Sequence, residues 1–386
     1  MGSGFLVILH TPTNAGYAIA PLERVFLRVA RNLTHGDSEV HFAYRDLHRG
    51  PPDTLPDGFA NLLALDIRDG SPGMRRKVKG YVRKQGISTV LAFDAPVRLP
   101  TYSALREGGA QLLVSYYGAP MSSVNRGLKL LMKRLQVWMT RHGPDHYILE
   151  SEAMRETAVQ GRGVPARDTS VIPLGVDPDR FAPHPESDYA HREFSIPPDR
   201  AVVVYSGHME RRKGVHVIVQ AAVELIARRG RTDVHFVLLG NRSGEEQCFL
   251  DLYHETAAAN HITFGGYRHD IPKIFASADI GCIASTGWDS FTMSSVEMAA
   301  AGLPIVVSGL QGLRETVEPG KTGLQFPPGD FAALADRLQT LLEDRALRDS
   351  MACHARQRVL RAFTVEHQVA TMTELIRGLQ ERWGLR

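Results

Sequence analysis

The chain has 386 residues, 43% of them hydrophobic and 23% charged, and its 45 lysines and arginines exceed its 42 aspartates and glutamates to give a net charge of +3. This composition is typical of a soluble globular protein with room for two cores of about 150–200 residues, and the small net charge gives no reason to predict nucleic-acid binding. The three cysteines, Cys248, Cys282 and Cys353, are odd in number and far apart, which argues against a disulfide framework and predicts a reducing compartment.

The N-terminal residues predict a β-strand and not a signal peptide. Residues 1–10 lack a basic start and hold five consecutive apolar residues before His10, too few for a signal sequence. No apolar run along the chain approaches the length of a membrane span. We therefore expect a cytoplasmic protein.

Short apolar runs alternate with longer amphipathic stretches, a rhythm that predicts parallel βα units and an α/β fold of two doubly wound domains. A Pro- and Asp-rich segment from Asp177 to Pro198 separates them. The first-half strands are predicted at Phe5–His10, Glu39–Tyr44, Thr89–Phe93, Leu112–Tyr117, Tyr147–Glu150 and Val171–Leu174, and the second-half strands at Val202–Tyr205, Val234–Leu239, Ile262–Phe264, Ile280–Ala284, Pro304–Val307 and Leu324–Phe326.

Two segments, 75–84 and 126–141, concentrate lysine and arginine. In the second, cations such as Lys129 and Arg134 alternate with apolar residues such as Leu128 at helical spacing. Basic amphipathic helices of this kind can lie on an anionic membrane surface. The interpretation that we favour is the solvated face of a domain helix, and peripheral contact with an anionic membrane is the alternative.

Ligands of open parallel sheets bind beyond the carboxyl ends of the strands, so the loops there should hold the chemistry. The loop after the first strand, 11–19, contains Asn14 and Gly16, and Gly16 can let the backbone approach a ligand. With one glycine, this loop is not a dinucleotide fingerprint. Asp94 ends another first-domain strand and also faces this edge, although loop Asp and Asn residues often only cap helices or turns.

Ser206–Gly214, after the first strand of the second domain, places four side chains that can carry positive charge between two glycines. A fixed cation there would stabilise the charge that a departing diphosphate develops, with Lys213 as the first candidate and His208 as the second. Taken alone, the segment also fits a solvent-facing turn.

Further along, Trp288–Ser308 holds two carboxylates, Asp289 and Glu297, across a short polar loop that opens a helix. A helix start offers N–H groups and a positive dipole end to a phosphate, and two spaced carboxylates can accept hydrogen bonds from the hydroxyls of two sugars. We interpret Asp289 as holding a transferred sugar and Glu297 as holding a ribose. Glycines near Tyr267 can let a planar base lie against the backbone.

The order of these second-half motifs resembles glycosyltransferase family 4, the retaining transferases of the GT-B fold. The resemblance rests on Gly207–Gly214, Gly266-Tyr267 with Asp270-Ile-Pro272, the spaced carboxylates with Ala299–Pro304, Gly320–Gly323 with Pro327–Asp330, and more thinly on Pro173–Asp177 and Val114–Gly118. It implies two Rossmann-like doubly wound parallel-sheet domains facing a cleft: an acceptor domain, 1–178, and a nucleotide-sugar donor domain, 179–364. The C-terminal helix, 365–386, is expected to cross back to the first domain.

The resemblance also implies roles for individual residues. Lys213 and His208 would contact the diphosphate, Glu297 the ribose and Asp289 the sugar. The family usually has arginine in place of His208 and glutamate in place of Asp289, so the donor sugar is open and activity is expected to depend on pH. The candidate donor-binding residues are Gly16, Gly207, Lys213, Tyr267, Asp289, Phe291, Thr292, Met293 and Glu297.

Tyr117 stands where family members commonly carry a histidine near the sugar. A phenol can hydrogen-bond but is a poor base near neutral pH, so Tyr117 is interpreted as a positioning residue, with strand packing as the alternative. Asn14 and Asp94 complete the candidates for positioning acceptor or sugar.

These observations predict an enzyme that transfers a hexose from a nucleotide diphosphate sugar, with UDP-sugar expected, to an acceptor hydroxyl with retained configuration. The acceptor would be a glycan, a lipid-linked saccharide or a small molecule. We expect no metal and no cofactor beyond the nucleotide sugar as co-substrate, because a cation and a helix dipole can serve the diphosphate. The alternatives are a GT-B nucleotide-sugar epimerase or hydrolase and a non-catalytic nucleotide-binding partner of a membrane glycan assembly.

Overall fold

The structure, a computed structural model, describes residues 3–16, 19–140, 142–183 and 188–385. It divides into two compact units: the first holds the described residues up to Pro173 and from Glu366 onward, and the second holds Leu174–Val365. The boundaries from the sequence, 178/179 and 364/365, lie close to these. Parts of three predicted segments fall outside the described residues: 17–18 in the first loop, Arg141 in the second basic segment and 184–187 in the linker, together with the last residue of the C-terminal helix.

The first unit is built on a sheet of seven strands in the order β3-β2-β1-β4-β5-β6-β7, all paired in parallel. Every residue of the four central strands β1, β2, β4 and β5 is buried, which explains their continuous apolar runs. The strands are β1 (Gly4–Leu9), β2 (Val40–Tyr44), β3 (Leu62–Ala64), β4 (Ile87–Phe93), β5 (Leu112–Tyr117), β6 (His146–Leu149) and β7 (Thr169–Val171).

The helices between these strands are α1 (Ala20–Leu33), α2 (Pro72–Lys84), α3 (Tyr102–Gly108), α4 (Gly127–Trp138) and α5 (Glu152–Glu156), which runs on into a π-helical turn at Thr157–Arg162. The helix α2 has a regular start, because the Ser71 hydroxyl accepts a hydrogen bond from Met74 N at 3.2 Å.

The two basic helices, α2 and α4, bury different amounts of apolar surface. In α2, Val78 and Val82 are buried, so its cations form the solvated face that the sequence predicts. In α4 the apolar side chains are the exposed ones: Leu128, Leu131 and Trp138 are 72%, 61% and 80% exposed. The cations Lys129 and Arg134 of α4 are exposed, as the favoured interpretation predicts, but the apolar side that a domain helix would bury is exposed as well.

The second unit contains a sheet of six parallel strands in the order β10-β9-β8-β11-β12-β13. In both sheets the strand order reverses direction once, between β1 and β4 and between β8 and β11, and such switch points are where ligands of doubly wound sheets bind. The strands are β8 (Ala201–Ser206), β9 (Val234–Leu239), β10 (Ile262–Gly266), β11 (Ile280–Ile283), β12 (Ile305–Ser308) and β13 (Gly323–Phe326).

One helix of the second unit lies inside the predicted linker. In α6 (Tyr189–Glu193), the N–H of Ala190 donates to Ser277 Oγ at 3.0 Å, so this part of the segment is packed and is not a free connection. The other helices of this unit are α7 (Val215–Val223), α8 (Gln247–Leu250), α9 (Ile271–Ala276), α10 (Met293–Ala300), α11 (Phe331–Glu343) and α12 (Arg345–Ala362).

The last helix, α13 (Val365–Arg382), returns to the first unit. Its stripe Val369, Met372, Ile376 and Leu379 is buried, and Gln380 Nε2 donates to Thr89 Oγ1 on β4 at 3.0 Å. The stripe therefore belongs to the core. Within the described ranges, no helix combines the length and the apolarity that a membrane crossing requires.

Candidate functional site

The candidate site lies at the switch point of the second sheet, where the loops after β8 and β11 meet. The N–H groups of Thr286 and Gly287 donate to Arg212 O at 2.7 and 3.1 Å, and Arg212 Nη1 donates to Trp288 O at 3.1 Å. These bonds join residues more than 70 positions apart, so the backbone of one loop fixes the position of the other.

Gly214 makes this junction possible. It has φ +72°, and a Cβ atom there would lie 1.7 Å from Ala284 O, so only glycine fits. Gly214 also precedes α7, whose first residues follow the turn Arg211–Lys213. A glycine is therefore required after Lys213, because it lets the backbone of this turn approach the end of β11.

Lys213 reaches Asp289 across this junction. Its Nζ donates to both carboxylate oxygens of Asp289 at 3.0 Å, and the two side chains are 15% and 7% exposed. Ser285 Oγ donates to Asp289 Oδ2 at 2.6 Å. A largely buried carboxylate that accepts from both an ammonium group and a hydroxyl is fixed in position.

Glu297, the second carboxylate, lies in α10 and is 5% exposed. Thr292 occupies the N-cap position of α10, but its hydroxyl donates to Ser290 O at 3.3 Å and does not accept from the first turn. Met293 is the first residue of α10 and is partly exposed. The dipole end of α10 therefore opens beside the Asp289 loop.

The side chain of Phe291, a candidate donor-binding residue, packs inside the second unit. Its ring is 2% exposed and packs edge-on against Phe363, with ring centroids 5.0 Å apart. The ring is therefore part of the core of the second unit, because an apolar side chain in this loop gains more from burial than from contact with a polar ligand.

The other second-unit candidates surround the carboxyl ends of β8 and β10. A Cβ on Gly207 would lie 2.6 Å from Tyr205 Oη, whose hydroxyl donates to His208 O at 2.8 Å. Packing against Tyr205 therefore requires glycine at 207. The His208 side chain is exposed, and Tyr267 is 61% exposed beyond β10. Both side chains are accessible to a ligand.

At the switch point of the first sheet, Asp94 follows β4 with φ +48°. Gly118 N donates to Asp94 Oδ1 at 2.8 Å, and burial raises the pKa of the Asp94 carboxyl while this bond and the nearby His10 oppose the rise. A partly buried carboxyl with a raised pKa is typical of a functional site.

Tyr117, the last residue of β5, is 7% exposed and packs against Tyr147 with ring centroids 6.3 Å apart. Burial and the neighbouring Asp94 raise the pKa of the Tyr117 phenol. The phenol therefore stays neutral at all physiological pH values and can donate or accept a hydrogen bond but cannot act as a base.

Asn14 is engaged in a turn of its own domain. Its Nδ2 donates to Arg49 O at 3.1 Å and Pro51 O at 3.0 Å, and its Oδ1 accepts from Asp53 N at 3.0 Å. Both amide hydrogens of Asn14 are used, so its side chain stabilises the turn. Only one lone pair on Oδ1 is left to accept from a sugar hydroxyl. Gly16 has φ +111° and its carbonyl accepts from Ile19 N at 3.2 Å, so backbone conformation explains this glycine.

Three residues escaped the sequence reasoning. Ser285 holds Asp289, Gln311 Oε1 accepts from Asp289 N at 3.3 Å, and His10 Nδ1 lies 3.0 Å from Phe93 O beside Asp94. His10 directly follows β1 and Ser285 lies two residues beyond β11, so the rule for carboxyl ends could have found them. Within the described residues, no group of three or more His, Cys, Asp or Glu side chains is arranged to hold a metal ion.

Two family models match the chain, Glycosyltransferase Family 4 over residues 22–180 and Glycosyl transferases group 1 over residues 187–358. A phosphatidyl-myo-inositol mannosyltransferase of Mycolicibacterium smegmatis is 30% identical over 320 residues, which cover 80% of this chain and 76% of that protein. The chain belongs to glycosyltransferase family 4.

This family 4 protein also matches a D-inositol 3-phosphate glycosyltransferase of Corynebacterium urealyticum, with 31% identity over 218 residues, or 54% of the chain. In that match the chain spans about half the length, 51%, of the relative. HepE of Anabaena, crystallised in complex with UDP, superposes with a TM-score of 0.76 at 20% identity and covers 97% of this chain and 100% of its own. This likeness, with the two parallel sheets, confirms the predicted GT-B fold class.

Proposed function

We propose that this protein is a retaining, metal-independent hexosyltransferase that uses a nucleotide diphosphate sugar, with uridine as the first nucleotide to test. The observation that carries the proposal is the buried Lys213–Asp289 pair at the switch point of the second sheet, held by Ser285 and followed eight residues later by Glu297. Two exposed free cysteines, Cys248 and Cys353, agree with a cytoplasmic location.

Lys213 is positioned to serve a diphosphate. An ammonium group carries three N–H bonds, and Asp289 accepts two of them at 3.0 Å, so the third is available to a phosphate oxygen. When the bond between C1 of the sugar and the phosphate oxygen breaks, negative charge grows on the diphosphate. A fixed cation, assisted by the dipole end of α10, stabilises that charge and takes the place of a metal ion.

The reaction with retention proceeds on one face of the sugar. The acceptor hydroxyl oxygen forms the new bond to C1, its proton passes to the departing phosphate oxygen, and no protein nucleophile is required. In this scheme Asp289 orients a hydroxyl of the donor sugar and Glu297 accepts from the ribose. Because Lys213 and Ser285 fix Asp289, the shorter side chain is held at a defined distance from the sugar.

The name of the M. smegmatis relative supports testing mannose beside glucose as the hexose, and inositol-containing lipids beside glycan and small-molecule hydroxyls as acceptors. Residues that bind the acceptor are expected in the first unit.

The donor site is tested by thermal unfolding with UDP, GDP, ADP, dTDP and, as a control, a nicotinamide dinucleotide. A ligand at a hundred times its Kd adds about 2.7 kcal/mol, which raises Tm by a few degrees. We expect one nucleoside diphosphate to raise Tm selectively, and the variants Lys213→Met and Glu297→Gln to lose that shift. A shift only with the dinucleotide, or none, would contradict the proposal.

Transfer is then measured with the matching hexose donors over an acceptor panel. Glu297→Gln should lower kcat/KM about a hundredfold, whereas the same change at Glu255, an exposed glutamate elsewhere in the same unit, should leave it unchanged. Activity should survive dialysis against EDTA. Loss with EDTA and recovery with a divalent ion would overturn metal independence, and sugar release without any acceptor would indicate a hydrolase.

A further inference from the structure

The helix α4 exposes a continuous apolar stripe. Its members recur at intervals of three and four residues, so at 100° per residue they fall within an arc of about 120° on one side of the helix. An exposed apolar patch of this kind marks a surface that contacts another molecule or a membrane. The α4 stripe consists of Leu128, Leu131, Met132, Leu135, Trp138 and Met139, all of them exposed.

The helix α4 and the residue just before its N-cap are fixed to the rest of the first unit. Asn125 Nδ2 donates to Gly161 O at 2.6 Å, and near the end of α4 Arg98 Nη2 donates to Gln136 O at 2.7 Å. Between them, Gly163 lies so close that a Cβ there would be 2.6 Å from Arg134 N. The stripe therefore points outward because the other face of the helix is held in place.

The charged side chains of α4 itself are all positive. On the helical projection Lys129 borders the stripe on one side and Arg134 on the other, and both are exposed. No aspartate or glutamate occurs in the chain between Glu107 and Asp145. An apolar band between cations complements the acyl boundary and phosphate headgroups of an anionic bilayer, whereas two copies of α4 face to face would bring like charges together.

We propose that α4 docks this protein on an anionic lipid surface, with the α4 stripe in the acyl boundary and Lys129 and Arg134 among the headgroups. Trp138, at the end of the helix, has the amphipathic ring that favours the membrane interface. The helix α2 lacks this capacity, because its apolar residues Val78 and Val82 are buried in the domain. This proposal stands independently of the transferase reaction.

Vesicle sedimentation tests the proposal with the full chain and without donor or acceptor. The vesicles are phosphatidylcholine alone and phosphatidylcholine with phosphatidylglycerol, at low and high salt. We expect binding to the anionic vesicles that weakens with salt, with a blue shift of tryptophan emission that Trp138→Ala abolishes. The double variant Leu131→Gln/Trp138→Gln should weaken binding about tenfold or more, because two apolar side chains are lost from the contact.

The charge variant Lys129→Gln/Arg134→Gln should weaken binding about tenfold, and only to anionic vesicles. Its matched control, Arg76→Gln/Lys84→Gln on α2, removes the same charge from exposed positions and should bind like the wild type. All substituted side chains are exposed, so unchanged Tm values are expected. Absence of wild-type binding, equal loss in the α2 control, or dimerisation that Leu131→Gln/Trp138→Gln abolishes would each overturn the proposal.

Discussion

Both sheets have a switch point, but the side chains that lie there differ in charge and in hydrogen bonding. Beyond β8 and β11 of the second unit, Lys213 and Asp289 form a largely buried ion pair. Beyond β1 and β4 of the first unit, Asp94 is held by the N–H of Gly118, with His10 nearby. The second site thus has its charges already paired, whereas the first has a carboxyl that burial pushes toward the protonated form.

The difference shows that topology fixes where a site forms and that the loop residues decide its charge state. In the second unit, two loops approach so closely that a glycine is required between them; in the first unit, Gly16 has open space around its Cα. The second site is therefore the more rigid of the two, and substitutions there should cost more.

The largest expected effect contrasts two glycines with positive φ. Gly214→Ala should unfold or severely destabilise the second unit, by about 4 kcal/mol or more, because the new Cβ would lie 1.7 Å from Ala284 O. Gly16→Ala should cost only about 1 kcal/mol, since it meets strain at φ +111° but no neighbouring atom within 4 Å. Chemical denaturation of both variants measures this; equal losses would refute the steric account.

The ion pair comes next. Lys213→Met leaves Asp289 buried with Ser285 and should destabilise the protein by about 2 kcal/mol, allowing for the partial exposure of the lysine, while kcat falls about a thousandfold.

A double-mutant cycle separates these two effects. Lys213→Met/Asp289→Asn should recover most of the lost stability, because no unpaired charge remains, and none of the activity. If the loss of unfolding free energy in the double variant equals the sum of the losses in Lys213→Met and Asp289→Asn, the two side chains are not coupled.

Removing the charge of Asp94 should raise stability, whereas removing that of Lys213 lowers it. Its raised pKa means that the unfolded chain ionises before the folded one, so wild-type stability declines as pH rises from near 3.8 through the folded-state pKa. Asp94→Asn should therefore have a higher Tm than the wild type at neutral pH, with the gain shrinking toward about pH 4, and activity about tenfold lower if the carboxyl positions substrate. Melting curves across this pH range provide the measurement; a lower Tm at neutral pH would mean that the Gly118 bond outweighs burial.

The smallest effect is expected at Tyr117. Tyr117→Phe keeps the ring packed against Tyr147 and removes a phenol that is neutral at physiological pH, so activity should change less than about threefold. Asn14→Ala provides a contrast in the same unit, because it loses three hydrogen bonds within the protein and should lower Tm. A large loss of kcat in Tyr117→Phe would instead give the hydroxyl a role in the reaction.

Much of the fold followed from the sequence. Eleven of the twelve predicted strands overlap the observed ones over most of their length, because buried parallel strands need continuous apolar runs that stand out between polar segments. The twelfth, predicted at Val171–Leu174, shares only Val171 with β7 (Thr169–Val171), which is short and only partly buried. The strand that was missed, β3 (Leu62–Ala64), has three half-buried residues at the sheet edge and so carries little pattern. The loops that hold Lys213 and Asp289 were also predictable, since their order along the chain matches the family.

Only the tertiary structure decided which residues meet. The sequence separates Lys213 from Asp289 by 76 positions, and their contact depends on the approach of two backbones at Gly214. The burial of Phe291 and the hydrogen bonds of Asn14 could not be predicted from the sequence either, because the partners of a loop residue come from other elements. For α4 the sequence determined an amphipathic basic helix, but which face is covered depended on the neighbours that hold it. Periodicity records that a helix has an apolar side, and tertiary packing alone determines whether that side is buried.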